Sequence, residues 1–179
     1  MQLTVNDTAE NFSYWQNRPY LDETTKILLS GAEVIIIPEE NFRDHPTPLF
    51  PRNTMEIYDW LKEHFLTEAA INEGDYQEVA LNSKKHRFGK FAVAAIVAPV
   101  FASVMASFIY DKLKTEDPKD EIEVEILVQG SEGKSKSIKY HGTAQHFNQV
   151  TEAINQLIKE LGDEHRTDTT QSTAKGQPK

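Results

Sequence analysis

The sequence predicts an α/β (α+β) protein with a small mixed sheet, in which a βαβ-like N-terminal half and a C-terminal ββα unit flank a long apolar helix. Three patterns predict it. A continuous β-branched run lies at Val34–Ile37, glutamates alternate with aliphatic residues at 121–128, and apolar residues at 147–161 recur at helical spacing. We expect four regions along the chain: residues 1–81, a basic flank with the apolar helix at 82–114, the ββα unit at 115–162, and a disordered tail at 163–179.

The N-terminal half is predicted to begin with a helix and continue into a strand. Asp22 is a preferred N-cap residue, and Gly31 lies where a C-terminal cap belongs. The run Val34–Ile37 is aliphatic at every position, which is typical of a strand covered on both faces. Pro38 ends it.

A second helix and strand should complete a crossover unit. Asn53 and Glu56 match a capping box, and apolar residues follow at helical spacing. Residues 76–81 have the composition of a strand. The order strand, helix, strand predicts a βαβ unit.

The loop at 38–53 holds four prolines and is long for a compact domain, where long loops are often functional. It carries Glu39, Glu40, Asp44 and His45, and it begins at the end of a predicted strand, where open α/β sheets bind ligands. One hypothesis places a ligand on these four side chains. The alternative is a stiff surface connection with solvated charges.

The C-terminal unit is predicted from alternation and periodicity. In 121–128 the aliphatic residues point to one face and the glutamates to the other, as in a half-buried strand. Gly130 and Gly133 bracket a turn, and 134–140 returns as the second arm of a hairpin. The apolar stripe from Phe147 predicts a final helix that ends at Gly162.

Residues 91–110 contain no charge and, as one helix, would extend about 30 Å, the thickness of the hydrocarbon core. Basic residues at 84–90 precede them and charged residues follow, which suits a single-pass cell-membrane span with a cytoplasmic N-terminus. Pro99 lies in the middle and would kink such a helix. The alternative is a helix buried in a cytoplasmic protein or in an oligomer.

Small residues recur through this segment and predict a helix–helix interface. Small side chains at a spacing of about four residues let another helix approach closely. The interface would serve self-association or a protein partner, and it comprises Ala94, Ala98, Ala102, Ala106, Ser103 and Ser107.

Composition and motifs narrow the function classes. A formal net charge of −9 argues against a nucleic-acid partner, because phosphate attraction needs a basic surface. The chain has no cysteine, which excludes disulfides and thiolate chemistry in these residues. It has no P-loop, no GxGxxG, no HExxH and no GxSxG. We therefore predict no catalytic residue, no metal and no cofactor.

From Thr54 to Leu161 the chain resembles the effector-associated constant component family of bacterial conflict systems. The resemblance rests on a helix with Trp60 and Leu61, an apolar segment that opens near Gly89 and Lys90, the residues at 110–113, and a hairpin with a helix after residue 142. It implies a role in antiviral defence as an adaptor that couples effectors to partners, at a membrane or elsewhere, and catalyses nothing. Residues 1–53 have no counterpart in it.

Two functions are therefore expected. The first is a non-enzymatic adaptor or accessory protein, membrane-associated or oligomer-forming, that acts through residues 91–110. The second is a soluble α/β enzyme or small-ligand-binding domain that uses the acidic proline-rich loop at 38–53.

Overall fold

A computed structural model of the chain describes residues 1–80, 85–114, 120–130 and 133–171. It confirms the mixed α/β class, with a six-stranded mixed sheet and five α-helices among the described residues. The strands are β1 (Gln2–Thr8), β2 (Val34–Ile37), β3 (Phe50–Pro51), β4 (Thr67–Ala69), β5 (Glu78–Val79), β6 (Lys85–Ala94), β7 (Glu121–Gln129) and β8 (Ser135–Thr143). The helices are α1 (Phe12–Gln16), α2 (Glu23–Ser30), α3 (Thr54–Lys62), α4 (Ala98–Leu113) and α5 (Asn148–Gln171).

The large sheet has the strand order β1-β8-β7-β6-β2-β4. The pairs β6–β7 and β2–β4 are parallel, and the other three pairs are antiparallel. Helix α3 connects β2 to β4 and α4 connects β6 to β7, so the sheet contains two crossover units. The first crossover returns to β4 rather than to the strand predicted at 76–81. Within the described residues 76–80, Glu78–Val79 forms a strand, which pairs with β3 in a separate sheet. The short β4 owes its conformation to pairing with β2, since strand preference depends on neighbours more than on local sequence.

The apolar segment at 91–110 is not one helix, and that prediction was wrong. Residues 91–94 complete β6, a turn follows, and α4 begins at Ala98. Pro99 then lies in the first turn of a helix, where its missing N–H costs nothing, rather than in a helix interior. Strand β6 lies between β2 and β7, so the chain before and after the segment belongs to one sheet. Across the described residues, no helix has the length and apolar character that a membrane crossing requires.

The two faces of the large sheet are covered differently. Helices α3, α4 and α5 cover one face, and Phe91, Phe101 and Tyr140 are fully buried there. On the other face, Trp15 of α1 and Leu29 of α2 pack on residues of β2 and β6. Charged side chains of β7 and β8 occupy the remainder of this second face, which we call the open face.

Local predictions hold where a pattern is self-contained. Asp22 caps α2, because its Oδ1 accepts a hydrogen bond from the Thr25 N–H at 2.7 Å, and Gly31 forms the C-cap. The hairpin of β7 and β8 is present, and the stripe on α5 is buried from Phe147 to Leu157. Helix α5 continues past Gly162 to Gln171, so its predicted end was wrong. Residues 172–179 of the predicted tail lie outside the described residues.

The capping box predicted at α3 is absent. Asn53 adopts φ 71°, and its side chain makes no capping hydrogen bond. Glu78 of β5 caps the helix instead, since its carboxylate accepts hydrogen bonds from the N–H groups of Asn53 and Met55, each at 3.0 Å. The Tyr76 hydroxyl donates a third at 2.6 Å. Burial opposes ionisation of Glu78, but these donors outweigh it and lower its pKa below the ordinary value.

Glu78→Gln should lower the free energy of unfolding at neutral pH by about 1 kcal/mol, because a neutral amide is a weaker cap. A carboxyl with a depressed folded-state pKa stabilises above its unfolded pKa, and that stability is lost as pH falls through the folded value. The difference in the free energy of unfolding between wild type and variant should therefore disappear in acid. Urea titrations across pH measure it, with the exposed Glu152→Gln as control. A difference independent of pH would contradict the capping role.

Candidate functional site

A cavity of about 520 Å³ lies on the open face of the sheet. Strands β1, β6, β7 and β8 form its floor, and α1 with the start of the loop at 38–53 forms its wall. Its volume is in the range of pockets that hold small molecules. We call it the open-face cavity.

A bulge in β6 brings two cations into this cavity. Arg87 lies opposite Glu123 and Gly89 opposite Val124, so Phe88 is an extra residue in the strand. Side chains alternate along a regular strand, so Arg87 and Lys90, three positions apart, would point to opposite faces if β6 had no bulge. The bulge lets Phe88 enter the core while both cations line the cavity. Gly89 has φ +97°, which side chains rarely allow.

Lys90 is the centre of a chain of charged contacts across the floor. Its Nζ lies 2.5 Å from the Glu10 carboxylate and 3.7 Å from that of Glu125. Glu125 also lies 3.5 Å from Lys139 Nζ and accepts a hydrogen bond from the Ser137 hydroxyl at 2.8 Å. Lys90 and Glu125 are mostly shielded, with 24% and 21% of their side chains exposed, so water weakens these contacts less than at an open surface.

A second pair of charges borders the cavity wall. The Arg18 guanidinium donates two hydrogen bonds of 2.7 Å to the Glu40 carboxylate. This pairing raises the pKa of Arg18. Burial, followed by the nearby Glu40 carboxylate, raises the pKa of Tyr20, which therefore stays neutral. On the floor, Arg87 Nε lies 3.5 Å from the Glu123 carboxylate.

Two polar groups of the lining have no protein partner among the described residues. Trp15 is 4% exposed, and its indole Nε1 makes no hydrogen bond. Lys90 Nζ lies 5.4 Å from the centre of the Trp15 ring, so the ring also contacts the charged chain. The Glu39 side chain is exposed and forms no ion pair within the described part of the chain. A buried N–H without an acceptor is costly unless something else supplies one.

The structure brings together only two of the four loop residues proposed as a ligand site. Glu39 and Glu40 line the cavity. Asp44 and His45 are exposed outside it, in and beside a 3₁₀ turn at Phe42–Asp44. His45 Nδ1 lies 3.0 Å from the Thr47 carbonyl, which is a local contact within the loop.

The small residues of the predicted helix–helix interface do not form one groove. Ala94 belongs to β6, Ala98 and Ala102 are fully buried in the core, and Ala106 is half-buried. Ser103 and Ser107 face solvent. A four-residue spacing places side chains on one helix face only from Ala98 onward, because the residues before Ala98 form a turn and a strand. The exposed apolar residues here are Ile96, Val100 and Tyr110, at 88%, 57% and 70%.

Sequence reasoning missed most residues of the cavity. Lys90 and Arg87 were assigned to a basic flank, although a glycine between two cations inside a strand-like run is a sign of a bulge. Trp15 and Glu10 come from the first 20 residues, where no element was predicted. Lys139 lies in the second arm of the predicted hairpin, opposite Glu125.

Comparisons of the chain with protein-family profiles, with curated proteins and with solved structures find no match. The resemblance to the effector-associated constant component family therefore stays a prediction.

Proposed function

We propose that the protein is a non-enzymatic binding protein, and that the open-face cavity holds a small zwitterionic ligand with an amino-acid-like head. The observation that carries the proposal is the buried Trp15 indole N–H, which has no partner among the described residues, together with the exposed Glu39 carboxylate, which forms no ion pair with them. A ligand with a hydrogen-bond acceptor for the indole and a cationic group for the carboxylate would pair with both.

The charges of the lining favour a cationic group on the ligand. Carboxylates outnumber Arg and Lys in the lining, and each cation already contacts a carboxylate. Glu39 is left to attract a positive charge. The residues in this balance are Glu10, Glu39, Glu40, Glu123 and Glu125 against Arg87, Lys90 and Lys139.

The arrangement supports recognition rather than turnover. The Tyr140 hydroxyl donates a hydrogen bond of 2.6 Å to the Thr143 carbonyl, so it is engaged within β8. Glu10 and Glu125 are held by Lys90, and Glu40 is held by Arg18. A nucleophile needs a base within hydrogen-bond reach, and the contacts described here join acids to cations instead.

The adaptor function remains a second proposal, with a different surface. Its support is the outer face of α4 with the turn before it, where Val100 and Tyr110 of the helix and Ile96 of the turn are exposed and no charged residue lies between them in the sequence. This face, rather than the buried alanines, is the part of residues 91–110 that a protein partner, a second copy or a membrane surface could reach.

The two tryptophans allow a direct test of the cavity. Trp15 lines it, whereas Trp60 lies on α3 and packs against Phe108 on the other side of the sheet. In ¹H–¹⁵N spectra, free L-lysine or L-arginine should shift the Trp15 indole signal in a saturable way and leave Trp60 unchanged. Glu39→Gln should weaken this binding about tenfold, or about 1.4 kcal/mol, and Glu152→Gln should not.

Citrate and spermidine distinguish zwitterion recognition from simple charge attraction. Citrate should not shift the Trp15 signal, and spermidine should bind more weakly than L-arginine because it offers no acceptor for the indole N–H. The proposal is wrong if no free amino acid moves the Trp15 signal, or if Glu39→Gln binds as tightly as the wild type.

A further inference from the structure

A second cavity, of about 760 Å³, lies at the opposite end of the sheet, along the edge strand β4. Helix α2 forms one wall with Thr25 and Leu28, and α3 forms the other with Met55 and Tyr58. The loop after β4 closes one end with residues 71–76. We call this cavity the edge groove.

Two exposed apolar side chains line the edge groove, and two more lie close in sequence to residues that line it. Leu28 and Met55 line it and are 52% and 45% exposed. Ile27, next to Leu28 on α2, is 70% exposed, and Leu66, directly before β4, is 66% exposed. Large apolar residues that cluster in this way mark a surface that binds another chain.

Among the described residues, no strand pairs with the edge of β4 that faces away from β2. The Leu66 carbonyl accepts from the Val34 N–H, and the Ala70 N–H donates to the Ile36 carbonyl. Backbone groups alternate between the edges of a strand, so those of Thr67 and Ala69 point outward. The Ala69 carbonyl accepts from the Ile71 N–H at 2.8 Å. The Thr67 carbonyl and the Ala69 N–H remain on either side of Glu68, and one residue of a parallel strand would bond to both.

The charge of the edge groove selects the occupant. Asp22, Glu68 and Glu73 line it, and no lysine or arginine of the described residues does so. A partner segment with basic side chains would gain from these carboxylates, whereas an acidic segment would be repelled.

We propose that the edge groove binds an extended basic segment of a partner protein, which adds to β4 as a parallel strand. Backbone hydrogen bonds would hold the segment to the edge. Its aliphatic side chains would pack against Leu28 and Met55, and its lysine or arginine side chains would face Glu68 and Glu73. Strand addition of this kind takes affinity from the main chain and specificity from alternate side chains.

The test uses a short fluorescent peptide of alternating lysine and valine, read by anisotropy with the full chain. A peptide of alternating glutamate and valine and one of alternating lysine and proline are the controls. The lysine–valine peptide should bind at least tenfold more tightly than either, because the first control has the wrong charge and the second cannot pair as a strand. Equal binding of the lysine–proline peptide would overturn strand addition.

Two variants locate the site. Glu68→Lys should weaken the peptide at least tenfold, and Glu152→Lys on α5, of equal net charge, should have little effect. Ala69→Pro removes an N–H that points away from β2, a position where an edge strand tolerates proline, and should also weaken binding. If Ala69→Pro fails to fold, Glu68→Lys and the proline peptide decide the matter. Equal losses in Glu68→Lys and Glu152→Lys would overturn the proposal.

The outcome is independent of the open-face cavity. Binding of the lysine–valine peptide should leave the Trp15 indole signal unchanged. L-arginine at a concentration that saturates the open-face cavity should not displace the peptide from the edge groove. If the chain dimerises through this edge and the peptide does not bind, the occupant is a second copy and the proposal is wrong.

Discussion

Phe101→Ala should lower the free energy of unfolding by about 3–5 kcal/mol, the largest effect we expect from one side chain of α4. Phe101 is fully buried, and its ring centre lies 5.5 Å from that of Phe91 and 6.1 Å from that of Phe65. Truncation would remove contacts with Phe91 of β6 and with Phe65, which follows α3. Urea denaturation with wild type and variant measures the loss.

The neighbouring residue is a matched control. Val100 is 57% exposed, and Val100→Ala should change the free energy of unfolding by less than about 0.5 kcal/mol. The contrast reports which face of α4 packs on the sheet. A larger loss in Val100→Ala than in Phe101→Ala would mean that the helix is turned the other way, and the outer face described above would not exist.

Gly89→Ala should cost about 1–3 kcal/mol, the typical strain of a side chain in a sparsely populated backbone region. Gly89 has φ +97° in the bulge of β6. Space is not the obstacle, because an added Cβ would lie 3.7 Å from the nearest atom, on Pro51. If the bulge relaxes to relieve the strain, Lys90 loses its place beside Glu10 and binding at the open-face cavity should weaken as well.

Gly31→Ala is the control for this prediction. Gly31 has φ −97°, a value open to alanine, and an added Cβ would meet only the Leu28 carbonyl oxygen at 3.9 Å. We expect no loss, or a gain below about 1 kcal/mol from the reduced freedom of the unfolded chain. Thermal and urea unfolding of both variants measure the difference. Equal behaviour would show that the bulge does not need a glycine.

Elements whose signal is complete within a few residues could be predicted. The helix between Asp22 and Gly31, the strand Val34–Ile37 and the alternating strand at 121–129 each have their cap or period in the local sequence. Elements that depend on distant partners could not. Strand β1 exists because β8 pairs with it, and β4, with only three residues, exists because β2 does.

The candidate cavity shows the same limit. Glu39 and Glu40, which the sequence proposes as ligand residues because prolines and acidic residues after a strand are a local pattern, line the cavity. Trp15, Lys90 and Glu125 lie far apart in the chain, and only the sheet order and the bulge of β6 bring them together. As long as β6 is not known to be a strand, the sequence around Lys90 resembles the basic flank of a membrane helix.

Residues 91–110 separate what the sequence determined from what the tertiary structure decided. Their composition alone predicted that most of this segment would leave water, since apolar surface is costly to hydrate, although Ile96, Val100 and Tyr110 stay exposed. Composition did not determine which secondary structure buries the segment, because a strand and a helix bury apolar residues equally well. The place between β2 and β7 made residues 91–94 a strand, and Pro99 suited the start of a helix. Burial is a property of composition, whereas the partner that buries a residue is a property of the whole fold.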